Sequence, residues 1–149
     1  MPVNQNLPSA PVPTPAGDVG FAKADEAVIN WLAAQGFQSV SSDGPDKAES
    51  WPHIQVVKLP AGHSTLYEDS PIVQVEVFHP DYDAAANAAG VAHFWLTDPW
   101  QGLRAGQVVG DQTIDEVRGS SPGHLDYQDG YLERFVGSYT VVSRPINPL

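Results

Sequence analysis

The sequence predicts an α+β domain in which two main helices pack on a mostly antiparallel four-stranded sheet. Three observations indicate this class of fold. Apolar residues recur at helical spacing in two segments, and four other segments have strand-like character. These segments follow one another in the order α-β-β-α-β-β, without an internal repeat. A proline-rich stretch precedes them, so we divide the chain into an extended arm over residues 1–17 and a single domain over residues 18–149.

The first 17 residues have the composition of an extended arm. Such a segment favours the polyproline II conformation and buries too little apolar surface to fold alone. A flexible tail is one interpretation, and an arm that reaches a neighbouring subunit or tube protein is the other; for the second, Leu7 and Val12 are the candidate contact residues. The arm carries five prolines, namely Pro2, Pro8, Pro11, Pro13 and Pro15.

The two predicted helices differ in bulk. The first begins at Asp18 or Ala22 and ends at Gln35, and Gly36 follows it at a position where a left-handed residue commonly ends a helix. The second runs from about residue 79 to residue 96 and is rich in alanine, so it can lie close to a sheet. Apolar faces are predicted at Phe21, Ala24, Val28, Trp31 and Leu32 in the first helix, and at Tyr82, Ala85, Ala89, His93 and Leu96 in the second.

Four segments predict strands. Residues 53–59 form the first strand, which we expect to break at residues 60–62, where Pro, Ala and Gly follow one another. Residues 71–78 alternate valines with Gln74 and Glu76, which predicts a strand with one wet face. Residues 107–117 predict a weak strand and residues 132–143 a strong one. Residues 41–45 and 119–130 are rich in turn-forming residues and predict loops.

Charge and composition exclude several classes of protein. Seven Lys and Arg face eighteen Asp and Glu, for a formal net charge of -11, and no cationic cluster is available to grip nucleic acid. The chain has no cysteine, which excludes disulfides and thiolate chemistry. No signal peptide or apolar membrane-spanning stretch is evident. We therefore expect a protein that is made in a cytoplasm and does not enter a membrane.

The sequence offers no pattern that predicts catalysis or a cofactor. The five histidines lack the short fixed spacing of a zinc site, and there is no nucleophile elbow or phosphate-binding glycine loop. His79, Asp81 and Asp83 alternate in a way that permits a metal, but the end of a strand followed by helix-capping carboxylates is the better interpretation. We expect no enzyme, no metal and no cofactor.

Aromatic residues in loops are the remaining candidates. Trp31 and Trp95 lie on predicted helices and are assigned to the core. Trp51 and Trp100 are flanked by Pro or Gly in predicted loops, where a tryptophan either covers the core or forms an interface, and both alternatives stay open. The full set of candidate interface residues is Leu7, Val12, Trp51, Tyr67, Trp100, Arg104, Tyr127 and Tyr131.

Five segments resemble a known family. The helical opening ADEAVINWLAAQGF, the strands VVKLPAG and PIVQVEVF, the helix DYDAAANAAGVAHFWL and the closing strand LERFVGSYTVVSRP resemble tail terminators of long-tailed actinobacteriophages. The likeness covers roughly residues 18–145, although the proline-rich arm and residues 36–52 depart from it. The resemblance implies a virion protein at the junction of tail and neck. There a six-membered ring would cap the tail tube, end its polymerisation, meet the head connector and let genome DNA pass without binding it.

Two other functions remain open. A head-completion or stopper protein, or another neck or tail part, has a similar size and composition, although the two helices argue against a β-rich tube subunit. A small ligand-binding α+β domain is the more distant alternative, with His93, Trp95 and Tyr139 around a pocket.

Overall fold

The computed structural model describes residues 7, 8, 10, 24–64, 69–103, 107–109 and 112–145. Within them the chain forms two α-helices, α1 (Ala24–Ala34) and α2 (Tyr82–Thr97), and a short 3-10 turn at Pro45–Lys47. The prediction of an α+β fold with two main helices is confirmed. The strands are β1 (Ser39–Ser41), β2 (His53–Ser64), β3 (Asp69–His79), β4 (Gln107–Val109), β5 (Gln112–Gly119), β6 (Gly123–Leu125) and β7 (Glu133–Pro145).

The predicted four-stranded sheet is wrong in its strand number. Within the described part of the chain, seven strands form one mixed sheet in the order β1-β2-β3-β7-β5-β4, and β6 also pairs with β7. Among the strands of the described residues, only the β1–β2 pair is parallel. The three additional strands, β1, β4 and β6, have three residues each, which is too short to show a period. The predicted weak strand over residues 107–117 is in fact two strands, β4 and β5.

Two long hairpins build the sheet and meet at the β3–β7 pair. In the first, β2 continues through the break that we predict at residues 60–62, because a register shift between Lys58 and Gly62 absorbs the irregular segment. In the second, β5 and then β6 run antiparallel along the same strand, β7, with Gly119 opposite Tyr139 and Gly123 opposite Val136. The turn of this second hairpin therefore lies at residues 126–132.

The core lies between the two helices and one face of the sheet. Val73, Val75 and Val77 of β3 are buried on that face, as the alternation predicts. Gly36 follows α1 with a φ of 115°, which confirms the predicted left-handed residue. The helices contribute small and branched side chains, so α2 packs closely on the strands. The buried helix residues are Ala24, Ala27, Val28 and Leu32 in α1, and Ala85, Ala88, Ala89, Ala92 and Leu96 in α2.

The opposite face of the sheet is less exposed to solvent than we predict. Gln74 is half-buried, but Glu76 is only 8 % exposed. Arg134 on β7 donates from Nε to Glu76 Oε1 over 2.8 Å and forms an ion pair with it, and Gln74 Nε2 donates to the same oxygen over 3.1 Å. A paired charge tolerates burial that an isolated one does not.

Some predictions fall outside the described residues. These are the start of the first helix, including Asp18 and Phe21, and most of the arm over residues 1–17. The division into arm and domain therefore stays a prediction. Neither described helix has the length and apolar character needed to cross a membrane.

Candidate functional site

Three of the predicted interface residues come together at one end of the molecule. Trp51 directly precedes β2, while Tyr127 and Tyr131 belong to the hairpin turn between β6 and β7. They line a single surface groove of about 360 Å³, which we call the aromatic groove. Trp51 is 38 % exposed and Tyr131 is 64 % exposed, so both rings present apolar surface to solvent.

The sheet positions the tyrosine side of the aromatic groove. Because His79 at the end of β3 pairs with Glu133 at the start of β7, the turn at residues 126–132 lies at the end of the sheet where β3 ends. There Tyr127 packs edge-on against the buried ring of Phe78, with 5.1 Å between the ring centroids. Asp129 orders the turn, since its Oδ1 accepts a hydrogen bond from the Tyr131 backbone N–H over 3.0 Å. Buried Leu132 closes the turn and lines the groove.

A buried histidine positions the tryptophan side. His53 is nearly inaccessible, and its Nε2 lies 2.8 Å from the carbonyl oxygen of Asp43. A carbonyl only accepts, so Nε2 carries the proton and Nδ1, 2.7 Å away from the Ser39 hydroxyl, is the acceptor. Ser39 Oγ in turn accepts from the Glu49 backbone N–H over 2.9 Å. These bonds tie residues 43–49 to the sheet immediately before Trp51. From the sequence, we consider His53 only as a metal ligand, and no local pattern predicts this positioning role.

A second groove borders the other side of Trp51. It has a volume of about 470 Å³ and lies between α2 and the segments at residues 36–38 and 50–52. Phe37, Val91 and His79 are among its lining residues, and Val91 and Phe94 remain partly exposed along α2. Trp51 therefore lines both grooves, and with 38 % of its surface exposed it stays a candidate for either an interface or a cover over the core.

The other predicted interface residues lie apart or outside the described residues. Trp100 is 81 % exposed in the turn after α2, where Asp98 Oδ2 accepts hydrogen bonds from the backbone N–H groups of Trp100 and Gln101. It lines neither of the two grooves. Leu7 is 71 % exposed. Val12, Tyr67 and Arg104 fall outside the described residues.

Two of the three residues that we considered for metal binding, His79 and Asp81, have structural partners. Asp81 is the N-cap of α2, and its Oδ2 accepts from the Ala84 N–H over 2.9 Å. The Asp81 N–H donates to Nδ1 of His79 over 2.9 Å, so the capping interpretation is confirmed. Across the described part of the chain, no group of three or more His, Asp or Glu side chains is arranged to hold a metal ion.

The residues proposed for a small-molecule pocket belong to the packed interior. Tyr139 is buried, and its hydroxyl lies 2.9 Å from Nδ1 of His93. The Trp95 carbonyl accepts from Trp31 Nε1 over 2.8 Å, which joins the two helices. None of these side chains lines either groove. Trp31 and Trp95 pack against the core as we predict.

Comparison with known proteins shows what this fold is similar to. No protein family matches the sequence, and the curated proteins give no match. Among solved structures, a similar chain occurs in the "virion of native gene transfer agent (GTA) particle". The two chains share 11 % identity with a TM-score of 0.53, and the alignment covers 83 % of this chain and 88 % of that one. The comparison shows a shared fold across most of both chains.

Proposed function

We propose that this chain is a structural protein of a phage-like virion. The observation that carries the proposal is the likeness to a chain of the gene transfer agent virion, which extends over 83 % of this chain and 88 % of the other. Coverage of this extent means that the whole domain is shared, not a common hairpin or helix pair. A fold by itself does not determine a function, so the surface of the molecule must also suit the role.

The surface suits a subunit that assembles with others. Trp51 and Tyr131 are exposed and line the aromatic groove, and large aromatic residues are enriched in protein interfaces. A second exposed region lies along α2 at Val91 and Phe94, on the far side of Trp51. A ring built from head-to-tail contacts requires two different patches on each subunit. The two grooves on either side of Trp51 are our candidates for contact surfaces.

Within the virion, we propose that the chain is the tail terminator. In this role, which the sequence resemblance suggests, six copies form a ring at the end of the tail tube. The ring stops tube polymerisation and joins the tail to the head connector. The net charge of -11 is compatible with a bore through which DNA slides without adhering, because like charges repel. The protein then acts through assembly, and we propose no catalytic step and no cofactor.

A head-completion or stopper protein is the second candidate. It would occupy the same neck region and need the same kinds of contact surface, so the shared fold supports it equally. The two candidates differ in the structure that each one closes. A terminator closes the end of the tail tube, whereas a stopper closes the exit of the filled head.

Electron microscopy of particles that lack this protein separates the two candidates. The gene is deleted in the virus that encodes the chain, and a plasmid copy restores it as the control. Tails that exceed their normal length, beside heads without tails, are the result expected for a terminator. Free tails of normal length beside heads that have lost DNA indicate a stopper. Normal tailed particles that contain DNA would exclude both.

A further inference from the structure

The aromatic groove has the chemistry of a site for a proline-rich segment. Trp51, Tyr127 and Tyr131 supply three aromatic rings along a cleft of about 360 Å³, and Pro45 and Leu132 add apolar surface. Grooves lined by aromatic rings bind segments in the polyproline II conformation, because such segments are already extended and lose little entropy on binding. The hydroxyls of the two tyrosines can donate hydrogen bonds to the carbonyls of an extended backbone.

The chain itself carries a segment of matching chemistry. Residues 7–15 read LPSAPVPTP, with four prolines in nine residues and no charged side chain. No Asp, Glu, Lys or Arg occurs anywhere in residues 1–17, so all eighteen acidic residues lie in the remainder of the chain. Exposed Asp46 and Asp129 border the groove and disfavour an acidic occupant. The arm is therefore a segment of another copy that can approach this groove without charge repulsion.

The arm of a second copy fits better than the arm of the same chain. Leu7, Pro8 and Ala10 are the described residues of this segment, and all three are exposed, so they bury little apolar surface against their own domain. If all of residues 1–17 are extended, the arm reaches about 50 Å at roughly 3.1 Å per residue. A folded chain of this size has a radius of gyration of about 15 Å, so an extended arm is long enough to reach a neighbouring domain.

We propose that residues 7–15 of one copy bind the aromatic groove of a neighbouring copy. This inference rests on the proposed assembly into a ring and names one of its contacts. Each copy then gives an arm to one neighbour and receives an arm from the other. Such a head-to-tail arrangement closes into a ring without requiring the two acidic domains to press directly against one another.

Photo-crosslinking of the full-length chain tests the proposal. A benzophenone side chain replaces Val12, and equal amounts of unlabelled and ¹⁵N-labelled protein are mixed, unfolded, refolded together and irradiated. The expected products join Val12 of one isotope to residues 45–51 or 127–132 of the other. Crosslinks confined to a single isotope would overturn the proposal, and so would crosslinks to other parts of the chain.

Two matched variants show whether the groove itself is the receptor. Tyr131→Ala removes an exposed ring from the groove, and Trp100→Ala removes an even more exposed ring outside it. We expect Tyr131→Ala to reduce the mixed-isotope crosslink about tenfold, as loss of an interface anchor does, while Trp100→Ala leaves it unchanged. Equal effects of the two variants would contradict a role for the groove.

Light scattering on the same samples distinguishes a failure of the proposed arm contact from a failure of the proposed self-assembly. If the chain forms oligomers but the arm does not crosslink to the groove, the inference about the arm is wrong and the proposed ring remains. If the full-length chain stays monomeric at high concentration and no mixed-isotope crosslink forms, the proposed self-assembly is contradicted as well.

Discussion

Tyr139 is the residue around which the centre of the sheet is packed. Its ring lies across two glycines, Gly137 on its own strand and Gly119 directly opposite on β5. A Cβ atom added at Gly119 would overlap the ring, and one added at Gly137 would lie 2.9 Å from Tyr139 Cε2. Both positions thus require glycine because an aromatic ring occupies the space above them.

Gly119→Ala tests this packing. We expect it to lower the free energy of unfolding by about 1–3 kcal/mol, because the ring must leave its place in a well-packed core. Gly123→Ala is the matched control on neighbouring β6, where no heavy atom lies within 4 Å of the added Cβ. Urea denaturation should show a change of less than about 0.5 kcal/mol for the control. Equal losses for the two variants would refute the proposed clash.

The Tyr139 hydroxyl predicts how stability changes at high pH. Burial raises the pKa of this hydroxyl well above its usual value of about 10. A raised folded-state pKa contributes stability that is complete below pH 10 and is lost as the pH rises towards the folded-state pKa. We therefore expect the free energy of unfolding to fall between pH 10 and pH 11.5.

Tyr139→Phe is the variant that checks this pH dependence. At pH 7 it should cost about 1 kcal/mol, because it removes the hydrogen bond with His93. In the alkaline range its stability should decline less steeply than that of the parent. Tyr131→Phe removes a hydroxyl from a largely exposed side chain and serves as the control in the same urea titrations. An alkaline slope unchanged by Tyr139→Phe would rule out Tyr139 as its source.

Two glycines, one that follows α1 and one inside α2, should respond oppositely to the same change. Gly36 ends α1 with a φ of 115°, whereas Gly90 lies inside α2, and neither has a heavy atom within 4 Å of an added Cβ. Gly36→Ala should destabilise the fold by about 1 kcal/mol, because alanine resists the left-handed conformation. Gly90→Ala should stabilise it by up to about 1 kcal/mol, since alanine favours helix. Thermal unfolding checks both signs, and the same sign for both variants would contradict the assignment.

The elements that the sequence predicts are those whose burial has a regular period. The valines of β3 alternate, and the alanines of α2 recur along one helical face, so both elements can be recognised without a structure. β1 and β6 escape prediction because a three-residue strand shows no period. The break expected in β2 at Pro60 fails for another reason: a local shift of register lets strand pairing resume after the irregular residues.

The aromatic groove could be predicted only in part. The sequence indicates that Trp51, Tyr127 and Tyr131 lie in loops, and loop aromatics are reasonable interface candidates. Their proximity depends on the pairing of β5 and β6 with the same strand, β7. This pairing places the turn beside the residues that precede β2. Local patterns carry no information about this pairing. The burial of Glu76 is unpredictable for the same reason, since Arg134 lies 58 positions further along the chain.

At the scale of the whole molecule, charge should oppose self-assembly. Each copy carries a formal net charge of -11, so neighbouring domains repel one another. Salt screens this repulsion, with a Debye length of about 10 Å at 0.1 M and about 3 Å at 1 M. We expect the oligomeric fraction in sedimentation velocity to increase between 0.1 M and 1 M NaCl. A decrease would show instead that attractive ion pairs hold the copies together.

Capping of a growing tail tube is the most direct test of the proposed function. The tube protein of the same virion is polymerised with increasing amounts of the purified full-length chain, and tube lengths are measured by electron microscopy. The account predicts that mean tube length falls as the chain is added, and that gold-labelled chain sits at one end of each tube. Tubes of unchanged length, with the chain unbound or scattered along their walls, would contradict it.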